Sequence, residues 1–351
     1  MRPNIDLRLI VDSLRKVAAT PYFDARVLTY SDHLCRAVEF ALAHKPSLPD
    51  AALRQLSEVV WIAHQYLVGS ISREAPYEME FCLKKALDEW KKKECVITTS
   101  LSLDLYGAFH FRQADPWEII QNILPSFDGK GFNPALILIS LPRVYRSKPI
   151  FCIPLYHELG HFVDRHWGIT TLAQVMIRQA SLFGLSGMPP GHWAEFFADL
   201  FATCYVGESS IRVLQTAAPN NPTSATHPST SDRVALMRAF LDGTPDPKIK
   251  VIQNALIRLG APVLAPRYLL PTISSAYDDL RTYVVQSVPE VHGLLASAWA
   301  YFEGALANGF PWARTPLHEG NIEKVVNDLT EKSIRNYSIR MMWQNATPSA
   351  I

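Results

Sequence analysis

Residues 157–161 read His-Glu-Leu-Gly-His, and residues 150–156, directly before them, read Ile-Phe-Cys-Ile-Pro-Leu-Tyr. His157 and His161 are four positions apart, so on a helix both rings lie on one face, one turn from each other. Glu158 projects about 100° away around such a helix and therefore points beside the space between the two rings. Because the surrounding residues are apolar, this helix is predicted to be buried, and its polar side chains need partners.

A second stretch supplies those partners. Residues 195–199 read Glu-Phe-Phe-Ala-Asp, so two carboxylates lie four positions apart on a second strongly apolar helix. The H-E-x-x-H pattern is typical of zinc sites, and catalytic zinc has three protein ligands and an open fourth position. We therefore predict one Zn²⁺ per chain, held by His157, His161 and Glu195. Asp199 is expected to accept the outer ring N–H of one ligand histidine and so fix its orientation.

Two other interpretations of these residues remain open. Isolated H-E-x-x-H sequences occur on ordinary helices, and the side chains could form a buried hydrogen-bonded network without a metal. A di-iron carboxylate bundle is a further alternative, because Glu158 and His161 also fit E-x-x-H. Such a bundle requires a second E-x-x-H on another helix, and the sequence contains none.

The two motifs together resemble the gluzincin metallopeptidases, whose signature is H-E-x-x-H followed by E-x-x-x-D. A third stretch, residues 226–234, reads Thr-His-Pro-Ser-Thr-Ser-Asp-Arg-Val. It is similar to the H-P-x-x-x-x-R segment of the HtpX type of zinc peptidase, in the same order and at approximately the same spacing. The resemblance covers residues 95–245 and neither flank. That family is mostly integral to membranes, which this chain is not expected to be.

The resemblance implies a zinc metalloendopeptidase that hydrolyses peptide bonds. Its fold would be α+β and predominantly α, with a zincin-like catalytic core, a small sheet and two motif helices, flanked by helical regions. Glu158 would be the general base that takes a proton from the zinc-activated water and delivers it to the leaving amine. His227 would stabilise the oxyanion, and Arg233 would pair with Glu195 or Asp199.

From chemistry alone the last two roles stay open. His227 could equally be a loop histidine that anchors the turn at Pro228, and Arg233 could be an ordinary surface arginine. Tyr156 and Tyr205 are alternative phenolic donors, although core packing is the simpler role for each tyrosine. Two further histidines near the motifs are expected to be structural: His166 and His192.

Apolar periodicity and proline positions divide the chain into three regions. We predict an N-terminal helical region (1–93), the metallopeptidase core (94–245) and a C-terminal helical region (246–351). Segments 107–112 and 135–140 are each a candidate edge strand for an extended substrate, or an ordinary interior strand. The other predicted elements are helices over 4–19, 30–44, 48–69, 76–93, 116–123, 150–168, 169–183, 233–241, 247–259, 271–286, 288–308, 318–333 and 334–343, and a strand over 96–101.

Composition limits the compartment and the partners. The formal net charge is +1, so no nucleic acid partner is expected. The five cysteines are scattered without a C-x-x-C, as is typical of buried thiols in a reducing compartment. No apolar run is long enough for a membrane span, and no signal peptide is recognisable. We therefore expect a soluble cytoplasmic protein.

The expected partners are a protein or peptide substrate and a regulatory protein bound through the helical flanks. The alternative function is a catalytically silent zinc-binding helical adaptor. The presence of Glu158 within the motif argues against this alternative.

Overall fold

The computed structural model describes residues 3–19, 25–71, 77–90, 94–102, 109–129, 131–179, 185, 187–310 and 318–346. These residues are mainly helical and include one three-stranded sheet, which confirms the predicted α+β, predominantly α composition. The zincin-like core stays a prediction. The chain forms two compact units, of which one contains residues 1–80 and 91–144 and the other contains residues 81–90 and 145–351.

The first unit buries apolar faces of its helices against a small sheet. Strand β3 lies between β1 and β2, parallel to β1 and antiparallel to β2. Its core includes the fully buried Trp117, against which Tyr30 packs edge-on at 5.6 Å. The elements are α1 (Pro3–Ala18), α2 (Ala25–Ala43), α3 (Asp50–Ile71), the first residues of α4 (Tyr77–Asp88), β1 (Cys95–Ser102), β2 (His110–Ala114), α5 (Pro116–Ile123) and β3 (Ala135–Pro142).

The position of β3 decides between the two roles left open for segment 135–140 and confirms an interior strand. Segment 135–140 cannot be a free edge, because its residues pair with β1 on one side and with β2 on the other. The strand is an almost continuous apolar run, which is typical of a strand buried on both faces. Residues 110–112 of the other candidate belong to the edge strand β2, and residues 107–108 lie outside the described residues.

The second unit is built around α8, whose residues from Phe196 to Val206 are all buried. Helix α6 begins with Pro154 in its first turn and ends at Gly168, which has a left-handed φ of 70°. Helices α6, α7, α9, α10 and α13 all pack against α8. The elements are α6 (Pro154–Trp167), α7 (Ile169–Gln179), α8 (Pro190–Val206), α9 (Glu208–Ala217), α10 (Thr230–Leu241), α11 (Pro247–Leu259), α12 (Ser274–Asp278), α13 (Val288–Asn308) and α14 (Glu319–Ala346).

Two helix predictions in the C-terminal part are wrong. Segment 271–286 contains only the short helix α12, and irregular chain follows it to Ser287. The segments 318–333 and 334–343 form the single helix α14. Near the middle of α14 the hydroxyls of the buried Thr330 and Ser333 donate to the carbonyls of Val326 and Leu329 at 2.7 Å, so these two polar side chains are satisfied inside the helix.

The three predicted regions do not coincide with the compact units. The strands β1 to β3 belong with the N-terminal helices, and the C-terminal region belongs with the motif helices. Composition marks changes of secondary structure along the chain, whereas the units depend on which elements pack together. No helix among the residues that the structure describes is long and apolar enough to cross a membrane.

Candidate metal centre

Three side chains converge between α6 and α8. The Nε2 atoms of His157 and His161 are 3.1 Å apart, and the Glu195 carboxylate lies 3.4 Å from the first and 3.3 Å from the second. Zinc bonds nitrogen and oxygen ligands at about 2.0–2.2 Å, so neighbouring ligand atoms of a tetrahedral site are about 3.3 Å apart. The three side chains each offer one ligand atom, all within 4.8 Å of one another, and could therefore hold a metal ion.

Gly160 permits this convergence. A methyl group on Gly160 would lie 2.8 Å from the Cα atom of Ala198 and 3.1 Å from the Cβ atom of Phe201. Real side chains do not tolerate such a contact with backbone, so only glycine lets α6 approach α8 this closely. The close approach brings the histidine face of α6 against Glu195.

A second group of charges orients the donors. Asp199 Oδ1 lies 2.9 Å from His157 Nδ1, and a carboxylate only accepts, so this ring nitrogen donates. Arg233 donates from Nε and Nη2 to the two oxygens of Asp199 at 2.7 and 2.6 Å. Arg233 Nη1 also lies 3.4 Å from Glu195 Oε2. With its proton held at Nδ1, a neutral His157 presents the bare Nε2 lone pair that a metal requires.

The pKa values in this cluster follow from burial and charge together. Burial alone would lower the pKa of His157, but the hydrogen bonds to Asp199 and Glu195 outweigh burial and raise it to about 9. Burial would raise the pKa of Glu195, but hydrogen bonds from His157 and His161 hold it well below its usual range. The pKa of Asp199 is lowered in the same way, chiefly by the charge of Arg233. Both carboxylates are therefore ionised at neutral pH, and a cation between the rings would take the place of the His157 proton.

A cavity of about 240 Å³ opens beside His157 and Glu158. Cavities of roughly 150 Å³ with apolar walls hold benzene, so this volume is sufficient for a branched or aromatic side chain. Glu158, His227 and Arg233 are among the polar residues that line the cavity. The apolar wall consists of Ile153, Pro154, Ala202, Val213, Leu214 and Ala217.

Of the three residues considered as hydrogen-bond donors to the substrate, one lies at the candidate site and two lie in the core. His227 is half exposed, and its Nε2 atom lies 3.4 Å from Glu195 Oε1. Tyr156 and Tyr205 are fully buried, and their hydroxyls have partners outside the cluster of His157, His161 and Glu195: Tyr156 pairs with His292 Nδ1 at 2.7 Å, and Tyr205 accepts from Trp90 Nε1 at 2.9 Å.

The two other histidines have packing roles. The ring of His166 stacks on Phe162, with 5.4 Å between ring centroids. His192 is buried, and its Nε2 atom lies 2.8 Å from the carbonyl oxygen of Ser224 in the loop that carries His227.

Sequence reasoning missed the residues of α9 that line the cavity. Val213 and Ala217 are four positions apart, which places them on one face of a helix. That spacing alone is common, and only the packing of α9 against α8 brings this face to the metal centre. The chain matches no protein-family model, no curated protein and no solved structure. The resemblance to the gluzincins therefore rests on the motif residues alone.

Proposed function

We propose that this chain is a zinc-dependent peptidase that hydrolyses peptide bonds. One observation carries the proposal: His157, His161 and Glu195 present three metal-binding atoms within 4.8 Å of one another. The cavity that His157 and Glu195 line is also lined by Glu158, a carboxylate that is not one of the three proposed ligands. Three protein ligands and a free carboxylate are the minimum set for metal-assisted hydrolysis.

The proposed metal would be held by His157 and His161 through Nε2 and by one oxygen of Glu195. When bound, zinc supplies a Lewis acid that polarises a carbonyl group and makes a water molecule more acidic. Asp199 holds the proton of His157 at Nδ1, 2.9 Å away, and so keeps the ring in its metal-binding orientation. Arg233 offsets the negative charge of the two buried carboxylates.

Glu158 performs the proton transfers in this proposal. Its carboxylate takes a proton from the attacking water and passes this proton to the nitrogen of the leaving amine. His227 donates from Nε2 to the oxygen of the scissile carbonyl as negative charge develops on that oxygen. The cavity beside Glu158 receives one apolar side chain of the substrate and excludes water from its wall.

The test compares wild type with Glu158→Gln, which keeps the size of the side chain but removes its basicity. We expect about one zinc per chain in both proteins, and we expect cleavage of a broad peptide library to fall by about 10²–10⁴-fold in the variant. Glu58→Gln, on the exposed side of α3, is the matched control. If the wild type binds zinc but cleaves no peptide, the adaptor function replaces this proposal. If it binds no zinc, both functions are excluded.

A further inference from the structure

The two ring nitrogens of His227 face different partners. Nδ1 lies 2.8 Å from the hydroxyl of Thr226, and Nε2 lies 3.4 Å from the Glu195 carboxylate. An ionised carboxylate has no proton to offer and carries negative charge, so it favours a proton on the ring nitrogen that faces it. In the neutral ring Nδ1 is then the bare nitrogen, and the Thr226 hydroxyl donates to it. The opposite tautomer would set the Nε2 lone pair against the carboxylate charge.

The loop before α10 holds His227 by its own hydrogen bonds. The backbone N–H of Ser224 donates to the His227 carbonyl at 2.8 Å, and the N–H of His227 donates to Ser224 Oγ at 2.9 Å. At the base of the loop, the Thr230 N–H donates to the Asn221 carbonyl at 3.0 Å. These bonds fix the backbone on both sides of Thr226 and so hold its Oγ1 atom beside the His227 ring.

The same loop is docked on the first turn of α8, the helix that carries Glu195. His192 Nε2 lies 2.8 Å from the Ser224 carbonyl, which can only accept, so His192 donates. Next to it, a methyl group on Gly191 would lie 2.8 Å from the Thr226 carbonyl oxygen. Glycine at 191 therefore allows the backbone of Thr226 to contact α8, and the distance from His227 to Glu195 depends on this contact.

We propose that Thr226 is a positioning residue: its hydroxyl holds the His227 ring with Nε2 toward the Glu195 carboxylate, which favours the Nε2–H tautomer, and Gly191 and His192 dock the loop. His227 is then a hydrogen-bond donor toward the metal centre and not a fourth ligand, because a metal would need the bare Nε2 lone pair. Catalytic zinc requires an open fourth position, and a protonated Nε2 beside Glu195 preserves it. The tautomer is inferred from the contact with Glu195 together with the loop geometry, whereas its catalytic use rests on the proposed peptidase function.

The tautomer can be measured directly by ¹⁵N NMR on histidine-labelled Glu158→Gln protein, with and without zinc. We expect the His227 signals of a protonated Nε2 and an unprotonated Nδ1 in both samples. Thr226→Val, which removes the hydroxyl but keeps the shape, should give a mixture of tautomers, and Thr226→Ser should restore the Nε2–H form. A bare or zinc-bound Nε2 in the unsubstituted loop would overturn the proposal.

Kinetics provide the second readout. Thr226→Val should lower kcat by about 10- to 100-fold at unchanged KM and zinc content, because a misdirected donor weakens only the transition state. Thr226→Ser should recover most of this loss, and Thr223→Val, at an exposed position of the same loop, should have no effect. An unchanged kcat in Thr226→Val would contradict the role. If the wild type cleaves no peptide, the peptidase function fails, and the NMR measurement alone decides the tautomer.

Discussion

Gly160 is the residue on which the proximity of the two motif helices depends. Its Cα atom faces the backbone of Ala198, and a methyl group there would be 2.8 Å from Ala198 Cα and 3.2 Å from Ala198 O. The atoms that would have to move belong to the backbone of α8, three residues from Glu195. A side chain at 160 would therefore act on the geometry of the metal centre as well as on packing.

Gly160→Ala should destabilise the protein and weaken zinc binding together. Overpacking of a close contact costs about 1–3 kcal/mol of unfolding free energy, and the displaced α8 would carry Glu195 away from the two rings. Urea unfolding and a competition titration with a zinc chelator measure the two effects.

Gly304→Ala is the matched control for this substitution. Gly304 also lies within a helix, α13, but a methyl group on it would meet nothing within 4 Å. Alanine is preferred over glycine in a helix by roughly 0.5–1 kcal/mol, so this variant should be as stable as wild type or more stable, with unchanged zinc affinity. Equal zinc affinity in the two variants would mean that the contact with Ala198 does not set the donor geometry.

Single residues of the site differ in how far the sequence could predict them. The two histidines share a face because their spacing equals one helical turn, and this needs no knowledge of the tertiary fold. The ion pair of Arg233 with Asp199 joins positions 34 residues apart. Spacing alone therefore could not decide whether Arg233 pairs with Asp199 or with Glu195. Thr226 could not be predicted, because its bond to the next residue depends on the conformation of the loop.

At the scale of elements, α9 decides the shape of the cavity. Sequence patterns predicted no helix over the residues of α9. In the structure Gly207 ends α8 with a φ of 54°, and α9 begins at the next residue. The ring of Tyr268 occupies the place of a side chain at Gly207, at 2.6 Å from the position of its missing Cβ atom. The chain therefore turns sharply here and brings Val213, Leu214 and Ala217 to the cavity.

Ala217→Leu should change the substrate preference without changing the metal. Ala217 is exposed, so a larger side chain can be accommodated at the mouth of the cavity without disturbing the core. For two peptides that differ only by phenylalanine or alanine next to the cleaved bond, we expect kcat/KM for the phenylalanine peptide to fall about tenfold relative to the alanine peptide.

Thr216→Leu is the control for the cavity, because residue 216 is exposed on the same helix and does not line the cavity. It adds similar apolar bulk and should leave the ratio of the two kcat/KM values unchanged. An equal change of that ratio in both variants would place the substrate side chain elsewhere.

Strand β3 illustrates the limit of element prediction. Its apolar run predicted a strand correctly, but an edge and a centre of a sheet differ only in their neighbours. The parallel partner β1 lies about 40 positions earlier in the chain, as in the pair Cys95 and Ala135. Such pairing depends on chain connections that local patterns do not encode.

At the scale of the molecule, buried histidine makes stability depend on pH. His292 in α13 is fully buried, Tyr156 is 2.7 Å from its Nδ1 atom, and burial lowers its pKa to about 3. An unfolded histidine has a pKa of about 6.5, so between these values the unfolded chain binds one more proton than the folded chain. This histidine therefore contributes stability that is present above pH 6.5 and is lost as the pH falls toward 3.

His292→Gln should reduce this pH dependence. Wild type should lose about 1 kcal/mol more unfolding free energy than the variant when the pH falls from 6.5 to 5.5, because the unfolded histidine is already half protonated at pH 6.5, as measured by urea unfolding with a chelator present. The exposed His318→Gln serves as control and should keep the wild-type slope. The same slope of unfolding free energy against pH in all three proteins would contradict the neutral, buried state of His292.

The partition into two units was the least predictable feature. Trp90 belongs with the motif helices because its indole donates to Tyr205 at 2.9 Å and its carbonyl accepts from Trp167 Nε1 at 2.7 Å. These partners are 115 and 77 positions away, beyond the range of any helical or strand periodicity. The overall helical content followed from composition and local patterns, whereas the grouping of elements required the packing itself.

The central claim is a zinc site formed by His157, His161 and Glu195, and zinc content combined with X-ray absorption at the zinc edge tests it most directly. For protein purified without chelator, we predict one zinc per chain, bound only by nitrogen and oxygen at about 2.0–2.2 Å, with the scattering pattern of two imidazoles. His161→Ala should lose the metal. Two results would contradict the claimed zinc site: purified protein that contains no zinc, or zinc with a sulfur ligand from one of the five buried cysteines.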